Sequence, residues 1–180
     1  MFKTYINKQL SLKILEESDT QALFNVVDES RTYLAEWLPF VNLTKSSDDT
    51  KQFIKSALQQ FVAHDGFHCG IWYNDKLVGV IGLHYINWLN ETTSIGYYLH
   101  QDYQKLGIMT ECTQFLIDYC FTELKLNRIE ISTATRNTKS QNIPKKLGFI
   151  QEGILRQNEK LNGSYSDSYV FSLLRSEYNR

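Results

Sequence analysis

Leu10, Leu12 and Ile14 alternate with polar residues, the period of two that marks a strand with one buried face. Ser18, with Gln21 three residues later, reads as a capping box opening a helix through Ala22, Leu23, Val26 and Val27. Trp37-Leu38-Pro39 ends it, because the residue before proline is driven out of the α region. A second helix is predicted with Asp49 as its cap, and Phe53, Ile54, Ala57, Leu58, Phe61 and Val62 fall on one face. From Phe67 the pattern becomes that of strands, over 67–73 and 77–85 about an Asn74-Asp75 turn, then over 92–99. The helical period returns with Met109, Cys112, Leu116, Tyr119 and Cys120, giving a helix from Ile108 to Leu124. A strand over 128–134, a short helix ending near Gly148, and strands near 153–161 and 165–174 about an Asn162-Gly163 hairpin turn complete the chain. The order β-α-α-β-β-β-α-β-α-β-β predicts one mixed sheet of α/β (α+β) class, and without repeat or linker the expectation is a single domain over residues 1–180.

Composition narrows the function. At 42% hydrophobic and 22% charged residues, disorder is excluded. Nineteen Lys and Arg against twenty Asp and Glu leave a net charge of −1, no electrostatic footprint for nucleic acid or an anionic membrane. The opening MFKTYINKQL lacks the apolar stretch of a secretory signal, and no run approaches the roughly 20 apolar residues of a spanning helix. Cys69, Cys112 and Cys120 are odd in number and lack C-x-x-C spacing, so free thiols and a cytoplasmic location are expected. Cys112 and Cys120 lie on the apolar stripe and read as core thiols. His64 and His68 are separated by an Asp65-Gly66 turn signal and share no helix face, so no metal is expected.

The segment Gln104-Lys105-Leu106-Gly107-Ile108-Met109-Thr110-Glu111 sits where a strand gives way to a helix. A helix N-terminus exposes unpaired N–H groups and a partial positive charge, both suited to a pyrophosphate. Gly107 lets the backbone approach such a ligand. The competing reading is an ordinary loop. Neither a dinucleotide fingerprint nor a Walker loop is present.

Gln104-x-x-Gly107-x-Met109 resembles the acetyl-CoA loop, Q/R-x-x-G-x-G/A, of the GNAT superfamily of N-acetyltransferases. Asn137-x-x-Ser140 and Lys146-Leu147-Gly148-Phe149-x-x-Glu152-Gly153 are similar to the second half of that signature. Trp37-Leu38-Pro39, Ile95-Gly96-Tyr97, Thr110-Glu111 and Asn162-Gly163-x-x-x-Asp167 look like the branch that acetylates N-termini of ribosomal proteins. The resemblance covers about residues 8–175 and implies a mostly antiparallel central sheet with helices on both faces. It implies acetyl-CoA as cosubstrate, held by Tyr98, Leu99, His100, Gln104, Lys105, Leu106, Gly107, Ile108, Met109, Thr110, Asn137 and Ser140. The acceptor it implies is a primary amine, foremost a protein N-terminus, attacked directly in a ternary complex. The branch is often dimeric, which makes a homodimer a further expectation.

Two residues depart from the family pattern. Met109 replaces a small residue, which is tolerable if its side chain turns into the core. Pro144 stands where many members carry the tyrosine that protonates the leaving thiolate; the branch implies Ser140 for that role. Pro144 also removes an N–H and so frees a carbonyl of its own helix near the expected position of the thiol. Removing the amine proton suits a carboxylate. Glu159 is the first candidate, where the branch places its glutamate, and Glu91 the second; a solvent-facing strand charge and a turn residue are their plainer readings. Backbone N–H groups around Tyr98-Leu99-His100 would meet the oxyanion, with His100 itself read as a surface residue. Trp37, Phe40, Tyr85 and Trp88 line either the acceptor pocket or the core. Two alternatives stay open: acetylation of a polyamine, amino acid or amine antibiotic, and a relative that binds acetyl-CoA without catalysis.

Overall fold

In a computed structural model, residues 3–178 are described. The strands are β1 (Thr4–Tyr5), β2 (Leu10–Ile14), β3 (Phe67–Tyr73), β4 (Lys76–Asn87), β5 (Thr92–Leu99), β6 (Arg128–Ala134), β7 (Ile150–Leu161) and β8 (Ser164–Leu174). The helices are α1 (Thr20–Glu29), α2 (Arg31–Leu34), α3 (Ser47–Val62), α4 (Ile108–Thr122) and α5 (Thr138–Lys146). One sheet has the order β1-β2-β3-β4-β5-β6-β8-β7. Every pairing in it is antiparallel except β5 with β6. Both tight hairpins follow from their turn residues. Asn74 and Asp75 adopt φ of 47° and 60°, and Asn162 and Gly163 48° and 83°, the double positive φ of a turn that matches strand twist.

Helices α1 and α3 pack on β3 and β4 from one side, and α4 and α5 cover the other. The main core lies between the sheet and α4, where Cys112, Ile117 and Cys120 meet Ile71, Val78, Ile81 and Leu83. Met109 is buried there too.

Several local readings change. Strand β2 buries both faces, so Ser11 and Lys13 are buried alongside Leu10 and Leu12. The Lys13 ammonium is tolerated because Asp19 meets it at 2.7 Å. The start of α1 is set by a 3₁₀ turn, Glu17–Asp19, with the Asp19 carboxylate accepting from the Glu16 N–H at 2.9 Å rather than by Ser18. Helix α3 begins earlier than predicted. Ser46 is its cap, and Asp49 sits inside the first turn, accepting from the N–H groups of Lys45 and Ser46. On that helix Ile54 and Ala57 are buried, whereas Phe53, Phe61 and Val62 remain exposed. Their apolar stripe is wider than the contact. Among the described residues no helix is long and apolar enough to cross a membrane.

Candidate active site

Strands β5 and β6 are parallel neighbours, but only Thr92, Thr93 and Ser94 pair with Arg128, Ile129 and Glu130. Beyond Ser94, β5 stays with β4 while β6 continues beside β8, so the two strands part into a wedge. The His100 N–H donates to the Val78 carbonyl at 2.8 Å. Alternation along an antiparallel ladder then turns the Tyr98 backbone toward β4 as well, and those of Tyr97 and Leu99 toward β6. Of the three N–H groups expected to meet an oxyanion, only that of Leu99 faces the gap, and Tyr97 joins it.

The wedge leads to the N-terminus of α4. Gly107 is its N-cap at φ 79°, and no side chain caps the first turn. A Cβ at Gly107 would meet only the Glu111 carboxylate, at 3.8 Å, so space lies open above it. Lys105 also adopts a positive φ, 65°. Lys105, Leu106 and Gly107 are exposed, Ile108 and Met109 point into the core, and Thr110 is half-buried. Opposite this loop, Lys139 of α5 donates to the Gln104 side chain at 3.1 Å and lies 5.0 Å over the Tyr33 ring.

At the narrow end stands Ser140. Asn137 caps α5, its side-chain oxygen accepting from the Ser140 N–H at 3.1 Å. Pro144 cannot donate to the carbonyl four residues back, which is that of Ser140. That carbonyl accepts instead from the Tyr97 hydroxyl at 3.1 Å. The Ser140 hydroxyl in turn reaches the Tyr97 oxygen at 3.4 Å, long for a bond between hydroxyls and easily redirected. Burial pushes the Tyr97 phenol up to about 12, so it stays protonated. Nothing in the motifs themselves gives the Tyr97 hydroxyl a role; its signal in the sequence is Pro144, whose missing donor demands a substitute for the Ser140 carbonyl.

The other nominated residues divide. Glu159, half-buried on β7 opposite Ser166, has its carboxyl raised from the ordinary value by burial. It follows an irregularity in which Gln157 turns to φ 50° and donates its N–H to Asp167. The β7–β8 tip is tied across to α2, Asn162 donating to the Ala35 carbonyl at 3.1 Å. Glu91 lies elsewhere: it sits at the opposite end of β5, roughly 20 Å along the strand from Tyr97 at about 3.3 Å per residue. There its carbonyl accepts from the N–H groups of Asn127 and Arg128 and starts the parallel pairing. His100 is not a surface residue. It is 4% exposed, with Nε2 3.2 Å from Glu29 and Nδ1 accepting from the Asp102 N–H. Phe40 meets the Tyr98 ring at 5.5 Å, whereas exposed Tyr85 and Trp88 lie at the far end of β4.

A family model described as an acetyltransferase (GNAT) domain matches residues 9–150. The chain belongs to the GNAT acetyltransferase family. It is therefore an acyltransferase whose domain type uses acetyl-CoA. The GNAT chain is 32% identical over 179 residues to YdaF of Bacillus subtilis (strain 168), provisionally named a ribosomal N-acetyltransferase, covering 99% of this chain and 98% of YdaF. It is 28% identical to the ribosomal-protein-serine acetyltransferase of Escherichia coli (strain K12), covering 93% of each. A spermidine N(1)-acetyltransferase of Vibrio cholerae serotype O1 is 26% identical, with 96% and 97% covered. Among solved structures, the ribosomal α-N-protein acetyltransferase RimL in complex with coenzyme A superposes at a TM-score of 0.94. The identity is 22%, with 98% of this chain and 100% of that one covered, which establishes the shared GNAT fold.

Proposed function

We propose that this protein transfers the acetyl group of acetyl-CoA to the α-amine of a protein N-terminus, ribosomal proteins being the foremost class. The observation that carries the reading is the wedge itself, with an uncapped helix N-terminus at its mouth and the Ser140–Tyr97 pair at its vertex. The residues fit the cosubstrate. First-turn N–H groups of α4 and the open face of Gly107 suit a pyrophosphate. The Leu99 and Tyr97 backbones offer strand-like partners to the pantetheine amides. Acetyl-CoA, when bound, supplies an activated acyl group and a thiolate leaving group. Ser140 holds the proton that the sulfur needs, and Tyr97 orients it. The N–H groups facing the gap stabilise negative charge on the carbonyl oxygen. Glu159, half-buried on the strand opposite Ser166, draws in the cationic acceptor.

Names of relatives support a protein acceptor in two cases. A small-molecule amine is the second reading, favoured by the spermidine enzyme among the relatives. The test of the cosubstrate site is a melting curve. Acetyl-CoA raises the melting temperature of the native protein by mass action, and NAD and ATP do not. Gly107→Val, strained at a positive φ, loses that rise. Normal CoA affinity in this variant would sink the loop assignment.

A further inference from the structure

Two imidazoles occupy the face of the sheet opposite Ser140, one over β5 and one over β4. The His84 ring reaches from β4 across β5 and lies on Gly96, where any Cβ would collide with its Nε2. One strand back, His68 lies over Gly82, its Nδ1 2.8 Å from where a Cβ would stand. Gly82 and Gly96 are cross-strand partners, so two adjacent missing side chains make a shelf for both rings. The ring centroids are 6.1 Å apart. Phe53 of α3 closes edge-on against His68 at 5.4 Å, and Gln60 donates to the His84 carbonyl beneath. His84 keeps an exposed edge; His68 is half-buried.

This shelf lies at the vertex of the wedge. Gly96 is two residues beyond Ser94, the last position of β5 paired with β6. It immediately precedes Tyr97, and successive strand residues point to opposite faces. Tyr97 therefore meets Ser140 on the α5 side while His84 covers the other side of the same stretch. The titratable group that acts on His68 is the His84 ring, while burial alone acts on His84. Burial, and for His68 the neighbouring ring, hold His68 at about 4 and His84 below its ordinary value. Both are neutral at pH 7, each with one unprotonated ring nitrogen.

We infer that His84 accepts the proton shed by the acceptor amine, with His68 as the positioning residue behind it, so that the two protons of the reaction leave by opposite faces of β5. The inference rests on the acetyltransferase reading. An ammonium acceptor carries three protons on nitrogen and the amide product one. The first passes to the unprotonated ring nitrogen of His84, giving an imidazolium and freeing the nitrogen lone pair. That pair forms the C–N bond while the carbonyl π pair moves to oxygen. The carbonyl then re-forms, the C–S bond breaks with its electrons on sulfur, and sulfur takes the Ser140 proton. The second nitrogen proton replaces the one Ser140 gave up. The balance is one proton on sulfur and one released to solvent from the exposed edge of His84. Glu159 keeps the task of holding the ammonium.

Chemical rescue tests this. At saturating acetyl-CoA and an N-terminal peptide, His84→Ala lowers kcat about 10²-fold, within the range of general base assistance. Its acetyl-CoA melting shift stays that of the wild type. Imidazoles added to the buffer restore turnover in proportion to their basicity, which mere filling of a hole would not do. Gly96→Ala pushes the intact ring off its shelf and loses turnover without rescue. His68→Gln moves the acid limb of the kcat profile with a smaller loss of rate. Undiminished turnover in His84→Ala overturns the inference. So does a loss that no imidazole restores together with an acid limb that vanishes in Glu159→Gln, which would place the proton on Glu159. A wild-type protein inert toward every amine overturns the acetyltransferase reading, and this inference falls with it.

Discussion

The two strands of the wedge come from differently built halves of one sheet. Strand β5 closes the antiparallel run β1 to β5, which has α1 and α3 against one face and α4 against the other. Strand β6 opens the β6-β8-β7 group, where α5 packs on β6 and β7, and β7 is exposed along most of its length. In the proposed site the loop, the Gly107 cap and the strand backbones offered to the cosubstrate hang on the covered half. Glu159, proposed to meet the acceptor, and the Asn162 tie lie on the uncovered half, where substitution disturbs little packing. A scaffold divided in this way can change acceptors without rebuilding its core.

The largest expected effect tests the vertex where the halves meet. Ser140→Ala should lower kcat by about 10²–10⁴-fold, more than it weakens acetyl-CoA binding, because the proposed proton donor acts only as the C–S bond breaks. Unchanged kcat with chemistry rate-limiting would move the proton donor elsewhere.

Stability should divide along the same line. Ile81→Ala on β4, fully buried, should cost about 2–5 kcal/mol. Ile154→Ala on β7, 52% exposed, should stay within about 0.5 kcal/mol. Equal denaturant midpoint shifts would dissolve the distinction between the halves.

Acceptor choice comes next. Reference pKa values of about 7.7–8.0 for an α-amine and 10.4 for lysine make lysine roughly 3.5 kcal/mol harder to deprotonate at pH 7. N-terminal Ser or Ala peptides should therefore be acetylated at least about tenfold faster than internal lysines, in kcat/KM on peptides blocked at one amine or the other. A polyamine surpassing both would replace the protein acceptor and leave the GNAT assignment standing.

Acid should loosen the halves in separate windows. His68 falls from 6.5 to about 4 in the fold, so the unfolded chain takes up its proton first. Stability present above 6.5 is lost as pH falls toward 4. In Glu152, hydrogen bonds from Arg128 and then Ser172 lower the carboxyl from 4.5 to about 2. Its contribution, complete above 4.5, is lost as pH falls toward 2 and is small because the carboxylate is exposed and salt-screened. Denaturant midpoints against pH for His68→Gln and Glu152→Gln should each flatten one window. If neither variant changes its own window, these groups do not govern acid sensitivity.

What the sequence discloses follows the range of the interactions. Helix α4, β6 and both hairpin turns are legible because a period or a two-residue turn specifies them locally. The wedge is not, since it depends on where a three-pair parallel ladder stops between strands some thirty residues apart. Lys13 was missed as a buried residue because its partner Asp19 arrives from the next element. The loop from Gln104 to Thr110 was readable through Gly107, whereas the left-handed backbone at Lys105 carries no side-chain signal. His84 is not legible as a site residue, because only Gly96, on another strand, reveals where its ring lies.

The three cysteines have a practical bearing. Cys69, Cys112 and Cys120 are 7%, 0% and 0% exposed, and burial raises each thiol, Cys69 and Cys120 to about 12. The RimL structure was captured with coenzyme A in disulfide linkage to a cysteine; here all three thiols are locked in the core, and thiolate is the reactive form. The folded protein should thus be silent toward thiol reagents. Colour developed by a disulfide dye during turnover counts coenzyme A alone, and in its absence the same dye counts molecules that have opened.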